Sequence, residues 1–397
     1  MAEGPNQTVV AACPPGMPST DIDPWADDVL ADPYPTYRTL RDLGPVVWLN
    51  RYGVAAFPRF AEVRSSLARW QDYTSSQGVA TSAMVNNALG PAIINTDPPE
   101  HDAFRVPLAA QLSVGALAPE AEGFGATAKA LVDQVVAAGE FDGVADLARP
   151  YSLTVVSDLV GIPAEERDVF PHLAESAFNV MSGDNHRIGP GMGAFGELAQ
   201  RCIRMAATPD LLCPGRKGAE MVASGNPWAL ISYTWPGIDT TVNAVASALY
   251  RFAAHPDQWQ AVRANRELIA GAFAEVLRLH TPVHHFTRVA TTDQNIDDVT
   301  LPAGTRVLIM YGSANRDERH YPDPDRFEVT RNPIDHLAFG RGIHLCVGHN
   351  LAKMEGQAIL AELANRVERF ELTGEVVWQL NNALHGPALL PLRVVPA

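Results

Sequence analysis

One cysteine set among glycines is the residue of this sequence with the clearest chemistry. Cys346 lies in the segment Phe339-Gly340-Arg341-Gly342-Ile343-His344-Leu345-Cys346-Val347-Gly348. Glycines allow tight turns and let a flat ligand approach the backbone. Apolar residues at helical spacing after residue 346 predict a helix whose N-terminus favours the thiolate. A thiolate on such a shelf can bind a haem iron, and the alternative is an ordinary buried thiol beside a loop.

A second segment, Asp97-Pro98-Pro99-Glu100-His101-Asp102-Ala103-Phe104-Arg105, pairs an imidazole with a guanidinium group. Pro98 and Pro99 suit the start of a helix. His101 and Arg105 stand four residues apart, so they share one helix face. Two such groups on one face can bind a pair of carboxylates, and a solvated basic face is the alternative.

A carboxyl and a hydroxyl group are adjacent within a long helical pattern, Asn226 to Ala254. Asp239 and Thr240 can together hold a water molecule and pass protons to a reacting oxygen. Pro236 and Gly237 just before them predict a break or kink in the helix, because proline removes a backbone hydrogen bond. A polar helix face is the alternative for the Asp-Thr pair.

These segments, in this order, resemble the cytochrome P-450 monooxygenases. Phe339-x-x-Gly342-x-His344-x-Cys346-x-Gly348 fills every position of that family's haem-binding signature, and the resemblance extends from about residue 32 to the C-terminus. It implies a mainly α-helical triangular-prism fold with a small β region, in a single large domain over residues 25–397 after a loose N-terminal arm, residues 1–24. It also implies an enzyme that inserts one oxygen atom of O2 into a substrate C–H bond.

The resemblance also assigns roles to individual residues. Cys346 would be the axial ligand of the iron of a b-type haem. The other residues expected at the cofactor are His101, Arg105, Arg288 and His344 as propionate partners, with Phe339, Gly340 and Gly237. Asp239 and Thr240 would deliver protons. Glu275, Arg278 and Arg326 are expected to form a structural triad that holds the segment before Cys346.

Electrons are expected to come from other proteins. The sequence has no G-x-G-x-x-G strand–helix unit and no four-cysteine cluster site. A separate ferredoxin or flavodoxin and its reductase are therefore predicted to carry electrons from NAD(P)H. Four basic residues near Cys346 can attract an acidic carrier: Arg341, Lys353, Arg366 and Arg369.

The substrate is predicted to be small and aromatic. Details such as Ser75-Ser76-x-Gly78-Val79 resemble the bacterial group that oxidatively demethylates para-substituted benzoates. In that group an arginine after the Ser-Ser pair helps to anchor the carboxylate, whereas Gln77 stands here. The prediction is therefore a neutral or weakly polar aromatic compound that is hydroxylated or O-demethylated. Its predicted contacts are Gln77, Phe178, Met181, Ser232, Pro236, Val283 and Phe286.

Three other functions stay open. A terpenoid or macrolide hydroxylase would share the chemistry and differ in the pocket. A non-catalytic haem-thiolate sensor would need Cys346 but no proton relay, and a peroxide-driven peroxygenase would normally lack the Asp239–Thr240 pair. The adjacent His284 and His285 invite a metal site, but no third ligand stands at a suitable spacing.

The elements that must position these residues follow from the apolar pattern. Val46 to Leu49 and Gly53 to Phe57 predict a β-hairpin. Residues 117–208 predict successive helices, and the glycine-rich stretch 182–193 predicts a mobile loop.

Composition limits the partners and the compartment. A formal charge of −15 over 397 residues argues against nucleic acid, and no apolar run has the length of a membrane span. Four cysteines without a C-x-x-C pair fit a reducing compartment. A cytoplasmic monomer without nucleic-acid or membrane partners is expected.

Overall fold

The computed structural model describes residues 12–208, 211–213, 215–223 and 229–397. Its helices are α1 (Asp27–Ala31), α2 (Tyr34–Leu43), α3 (Phe60–Ala68), α4 (Ala83–Ala88), α5 (Glu100–Gln111), α6 (Val114–Leu117), α7 (Ala121–Ala138), α8 (Arg149–Val160), α9 (Ala164–Arg167), α10 (Phe170–Phe178), α11 (Ile188–Ala207), α12 (Lys217–Ala223), α13 (Ala229–Ala254), α14 (Pro256–Ala264), α15 (Leu268–Leu279), α16 (Tyr311–Ala314) and α17 (His349–Arg366). Its strands are β1 (Ser19–Thr20), β2 (Val47–Leu49), β3 (Val54–Phe57), β4 (Tyr73–Thr74), β5 (Glu140–Asp142), β6 (His285–Ala290), β7 (Gln294–Ile296), β8 (Val299–Leu301), β9 (Arg306–Met310), β10 (Val367–Leu372), β11 (Val377–Trp378), β12 (Pro387–Leu389) and β13 (Pro391–Pro396).

The largest sheet of the described residues has six strands in the order β1-β2-β3-β9-β6-β4. β2 and β3 are antiparallel, with Val47 opposite Ala56, and this confirms the predicted hairpin. β9 pairs in parallel with β3 and antiparallel with β6. Because alternate side chains of a strand point to opposite faces, the sheet buries a separate apolar cluster on each side. β6, which carries Arg288, is held between β9 and β4.

The N-terminal arm predicted over residues 1–24 is not loose where the structure describes it. Ser19 and Thr20 form β1, which pairs in parallel with β2, and Met17 is buried in the apolar cluster on one face of the sheet. The prediction is therefore wrong for residues 17–20, because one buried methionine and two strand residues anchor an otherwise Pro-rich and polar segment. Residues 1–11 lie outside the described part of the chain.

α13 runs through the helical part of the molecule and packs against α8, α10, α11, α15 and α17. Apolar residues such as Val242 and Phe252 are buried, as expected for a helix that is surrounded by protein. Of the break or kink predicted at Pro236, the break does not occur, since α13 is continuous from Ala229 to Ala254, and the kink stays a prediction. Packing against several neighbours maintains the helical course at a position where proline alone would favour a break. The predicted start at Asn226 lies outside the described residues.

The succession of helices predicted over residues 117–208 is confirmed. The mobile loop predicted over residues 182–193 is wrong in part, because α11 begins at Ile188. Gly191 serves packing, since a Cβ atom there would lie 2.9 Å from the carbonyl oxygen of Ser176. The mainly α-helical class with a small β region is confirmed, and no helix in the described ranges is long and apolar enough to cross a membrane.

Candidate active site

The segment around Cys346 is shaped by two glycines with left-handed backbone conformations. Gly340 and Gly342 have φ angles of +68° and +72°. A Cβ atom at residue 342 would lie 2.2 Å from the carbonyl oxygen of Leu67, so only glycine fits there. The Cys346 amide donates a hydrogen bond to the Phe339 carbonyl over 2.8 Å, and α17 begins three residues later. The predicted arrangement of a glycine shelf before a helix is present.

Burial raises the pKa of the Cys346 thiol. The Gly348 amide and the positive charge of Arg105 act in the opposite direction without outweighing burial. The Gly348 amide thus favours the thiolate, as the sequence predicts, but the low-dielectric surroundings penalise the charge more. A cation bonded to the sulfur changes this balance, since metal coordination deprotonates a thiol.

Two imidazole rings lie together beside the cysteine segment. His101 on α5 and His344 have ring centroids 4.7 Å apart. His101 Nδ1 lies 2.9 Å from Asp102 Oδ1, but the buried Nε2 atoms of both histidines have no hydrogen-bond partner in the described part of the chain. Buried polar atoms normally have partners, so these two nitrogens are suited to a ligand.

Two guanidinium groups lie near the same rings. Arg105 donates to the Leu345 carbonyl over 2.7 Å and so ties α5 to the cysteine segment. Arg288 is buried on β6. Burial lowers the pKa of His344 to about 4, and the charge of Arg288 acts in the same direction, so His344 is neutral near pH 7. The structure thus brings together the four side chains predicted to bind propionates.

Asp97 belongs to this cluster, although its sequence position did not identify it. Its carboxylate accepts hydrogen bonds from the Thr74 hydroxyl and, over 3.1 Å, from the Ser75 amide, and it lies 3.9 Å from His344 Nε2. Burial alone would raise the pKa of Asp97, but its interactions with His344, Thr74 and Ser75 hold it well below its usual range. Asp97 is therefore an ionised group beside His344, although the 3.9 Å separation is too long for a hydrogen bond to its Nε2 atom.

This set of residues fits a haem b. The two propionates would meet two guanidinium groups and the two imidazole nitrogens that lack partners, and the Cys346 sulfur would meet the iron. Phe339 lies next to this shelf, and its ring contacts His349 at a centroid distance of 6.2 Å. Gly237 on α13 is less constrained by the protein, because a Cβ atom there would make an ordinary 3.7 Å contact with Val156.

The predicted acid–alcohol pair lies in the middle of α13. The Thr240 hydroxyl donates to the Pro236 carbonyl over 2.7 Å. Asp239 is buried, and its Oδ2 atom has no hydrogen-bond partner among the described residues. Burial raises the pKa of Asp239 well above its ordinary value, the negative charge of Glu175 adds to this effect, and Arg149 opposes it. Asp239 therefore takes up a proton more readily than an exposed carboxyl group does.

The structural triad contains Arg331 in place of Arg326. Glu275 and Arg278 are fully buried, with two hydrogen bonds of 2.7 and 2.8 Å. The third member is Arg331, whose Nε lies 3.0 Å from Glu275 Oε1. Arg326 has a side chain that is 64% exposed and only a 3.9 Å contact with Glu328, so its prediction as the third member is wrong. Its backbone carbonyl, not its charge, faces Arg278, at 3.5 Å.

Five of the seven residues predicted to contact substrate lie on three segments that are hydrogen-bonded to one another. The Thr81 amide donates to the Met181 carbonyl over 3.2 Å, and the Thr287 amide donates to the Val79 carbonyl over 2.8 Å. The Ser182 hydroxyl and His285 Nδ1 are 2.9 Å apart. These bonds bring the loop after Gln77 and the segment with Phe178 and Met181 next to the strand that carries Phe286. Val283 forms a β-bridge with Leu384, and Ser232 and Pro236 are on α13.

Two further buried groups were not identified from the sequence. Trp235 packs against Phe178 and Phe195, with centroid distances of 5.3 and 4.9 Å, and its indole nitrogen has no partner within the described ranges. Glu355 on α17 accepts a hydrogen bond from the Thr241 hydroxyl over 3.2 Å, and burial raises its pKa to about 8. For Trp235, its position beside Pro236 in the sequence could have indicated a place near the pocket, whereas no sequence feature indicated Glu355.

The His284–His285 pair has other partners. His284 Nδ1 lies 2.8 Å from the Tyr37 hydroxyl, and His285 bonds Ser182. Among the residues that the structure describes, no group of three or more His, Cys, Asp or Glu side chains is arranged to hold a metal ion.

The fold and the residues around Cys346 are those that the resemblance to haem-thiolate monooxygenases implies. The sequence model described as Cytochrome P450 matches residues 229–384. Cytochrome p450 CYP199A2 of Rhodopseudomonas palustris is 37% identical over 402 residues, which cover 96% of each chain. Cytochrome P450 monooxygenase PikC of Streptomyces venezuelae is 32% identical over 95% of this chain and 94% of its own length. The solved structure of cytochrome P450 CYP109Q5 from Chondromyces apiculatus has a TM-score of 0.81 and 26% identity, and covers 95% of this chain and 98% of that one.

The chain belongs to the cytochrome P450 family. It is accordingly a haem-dependent monooxygenase with haem b as its cofactor and O2 as co-substrate, and its electrons derive from NAD(P)H through partner proteins.

Proposed function

We propose that this monooxygenase hydroxylates or O-demethylates a small aromatic compound that carries no charge. The haem, when bound, supplies O2 activation and attack on the C–H bond. The remaining tasks fall to side chains of the chain, which must position the substrate, exclude competing ligands and deliver protons.

The observation that carries the proposal is how a cation beside Gln77, Arg306, is hydrogen-bonded. Arg306 donates to the carbonyl oxygens of Gln77, Gly78 and Ala80 and to the Thr287 hydroxyl, over 2.8 to 3.1 Å. Its hydrogen-bonding capacity is thus used to hold the loop in place. With a neutral amide at position 77, a benzoate carboxylate would have to compete with these backbone acceptors for the terminal donors of Arg306, and burying a poorly paired charge is costly.

Trp235 adds one hydrogen-bond donor among the apolar side chains of Phe178 and Phe195. Its indole nitrogen is a hydrogen-bond donor only, and it is buried beside Phe178. A substrate with a methoxy, hydroxyl or carbonyl oxygen would accept this bond, whereas a pure hydrocarbon would leave the donor without a partner. The proposal therefore favours oxygen-bearing aromatic compounds.

Asp239 and Thr240 are proposed to deliver protons, with a route to solvent on the α8–α10 side. The Thr240 hydroxyl has its hydrogen committed to the Pro236 carbonyl, so its oxygen is able to accept a hydrogen bond from water. Arg149 and Glu175, whose charges act on Asp239, are 4.0 Å apart and line a surface cavity of about 320 Å³. Ser152, one turn after Arg149, donates to the Ile238 carbonyl over 3.0 Å and so fixes α8 beside Asp239.

A separate ferredoxin or flavodoxin is proposed to dock near Cys346 on Arg341 and Lys353. Both side chains are exposed, and neither has an ion pair with the described residues. Arg366 and Arg369, also predicted for this surface, are paired with Asp133 and Glu371. Arg366 ends α17, roughly 25 Å from the start of that helix at 1.5 Å per residue, and Arg369 follows on β10. Arg341→Glu should slow ferredoxin-dependent haem reduction in a salt-sensitive manner, and Arg369→Glu should not. Equal effects of the two variants would refute this docking site.

The substrate proposal is tested by titrating the haem-loaded protein with 4-methoxybenzamide and 4-methoxybenzoate and following the low-to-high spin shift. The neutral amide should bind at least tenfold more tightly. In Gln77→Arg the preference should reverse, whereas Gln77→Leu should keep it. Tighter benzoate binding by the unmodified protein would refute the proposal, and a spin shift with terpenoids or macrolides alone would favour those substrates.

A further inference from the structure

A cavity of about 620 Å³ opens between α2, the C-terminal ends of α13 and α15, and β11. None of the residues predicted to contact substrate or haem lines it. Four of its lining side chains are arginines, namely Arg38, Arg41, Arg251 and Arg316, in a protein with a formal charge of −15. We call it the arginine cavity. Such a local excess of positive charge in an acidic protein attracts anions.

Three of the four arginines form ion pairs with two carboxylates, Glu318 and Asp325. Arg41 lies 2.9 Å from Glu318, while Arg38 and Arg316 share Asp325, at 2.5 and 3.1 Å. Arg251 forms no ion pair with a carboxylate of the described chain. The positive charge of Arg316 acts on it instead. Arg251 is thus the one arginine of the lining without a carboxylate partner among the described residues, and Asp32 and Asp325 also line the cavity.

The contacts of Arg251 leave most of its donors available. Its Nε–H donates to His280 Nε2 over 2.6 Å. Because guanidinium is only a donor, His280 is neutral and carries its proton on Nδ1. Burial lowers the pKa of Arg251 to about 10, and the group is still charged at pH 7. Its two terminal nitrogens make no hydrogen bond with the described residues, which leaves four N–H groups in the fork geometry that suits an oxyanion.

Flat side chains line the cavity beside Arg251. The rings of Trp378 and His385 are parallel within 1°, with centroids 4.9 Å apart. The His280 ring is parallel to Trp378 within 6°, at 5.5 Å. The Arg316 guanidinium lies 3.3 Å from the centroid of the Tyr34 ring. Parallel ring faces next to the Arg251 guanidinium suit a ligand that combines an oxyanion with an aromatic ring.

We propose that the arginine cavity is a second binding site, separate from the haem pocket, for a small aromatic oxyanion. Its carboxylate or phosphate group binds Arg251, and its ring lies against Trp378 and His385. The arginine cavity would therefore bind aromatic carboxylates or phosphates, which the pocket beside Gln77 disfavours.

The test uses the haem-loaded full chain and calorimetric titration with phenylphosphonate and methylphosphonate, which differ only in the aromatic ring. Phenylphosphonate should bind one site, at least tenfold more tightly than methylphosphonate, and without any shift of the haem absorption band. Arg251→Gln should weaken phenylphosphonate binding at least tenfold. The control is Arg64→Gln on α3, because Arg64 is exposed and outside the cavity, and it should leave the affinity unchanged.

Trp378→Leu provides a variant that leaves the Arg251–His280 bond in place, and it should reduce the difference between the two probes. Four results would overturn the proposal: no saturable heat with either probe, equal affinity for both probes, full affinity in Arg251→Gln, or a haem spin shift that accompanies phenylphosphonate binding. Thermal unfolding of each variant establishes that it is folded.

Discussion

Replacing Arg331 should destabilise the protein, and replacing Arg326 should not. Glu275 is completely buried, and Arg331 supplies one of the guanidinium groups that neutralise it, at 3.0 Å. The side chain of Arg331 is 15% exposed, against 64% for Arg326. Losing a hydrogen bond to a buried charge costs about 1.5–3 kcal/mol, so we expect Arg331→Gln to lose about 2 kcal/mol, roughly a thirtyfold change in the unfolding equilibrium. An exposed pair contributes at most about 1 kcal/mol, and the 3.9 Å contact of Arg326 places Arg326→Gln near zero.

The assay is equilibrium unfolding of both haem-loaded variants in urea, followed by helical circular dichroism and by the haem absorption band. Arg331 also donates to the Pro322 and Asp323 carbonyls, over 2.9 and 3.2 Å, so the haem band should respond at least as strongly as the helical signal. Equal losses in the two variants, or a greater loss in Arg326→Gln, would refute the assignment of Arg331 to the triad.

Three further predictions follow from the site. Glu355→Gln should gain stability relative to the unmodified protein as the pH rises from 5 to 8, because the folded protein keeps Glu355 protonated up to a pKa of about 8 while the unfolded chain ionises near 4.5. In this window the unmodified protein should lose about 1.4 kcal/mol of unfolding free energy per pH unit through Glu355. A pH-independent difference between the urea midpoints of the two proteins would contradict this. Gly342→Ala should lose more haem than Gly340→Ala. Both glycines have positive φ, but an added Cβ atom would lie 3.6 Å from its nearest neighbouring atom at residue 340 and only 2.2 Å at residue 342. Haem content after purification measures the difference, and equal haem retention by the two variants would count against it. Asp239→Asn should reduce product formation roughly 100-fold while haem reduction by the electron donor stays unchanged, and an unaltered turnover number would exclude Asp239 from proton delivery.

Local sequence patterns predicted the parts of the site that depend on short-range geometry. The glycines before Cys346, the i, i+3 spacing of Glu275 and Arg278 and the i, i+4 spacing of His101 and Arg105 each determine which side chains share a face. These arrangements are present because helix periodicity and positive φ angles act over only a few residues.

Contacts that depend on the path of a loop could not be predicted from the sequence. Arg326 and Arg331 both follow Arg278 in a segment without regular structure, and the turn at Asp323, with a φ of +46°, contributes to deciding which of them reaches Glu275. The buried polar groups of Trp235 and Glu355 depend on packing between distant segments, which no local pattern encodes. The domain boundary near residue 25, the cytoplasmic location and the monomeric state stay predictions.

The assignment of Cys346 as the thiolate ligand of the haem is the central claim, and the difference spectrum of the reduced protein with carbon monoxide tests it most directly. The folded, haem-loaded protein should show the red-shifted band that is characteristic of thiolate ligation, and Cys346→Ser should lose this band. Absence of the band in the unmodified protein, or its persistence in folded and haem-loaded Cys346→Ser, would contradict the claim.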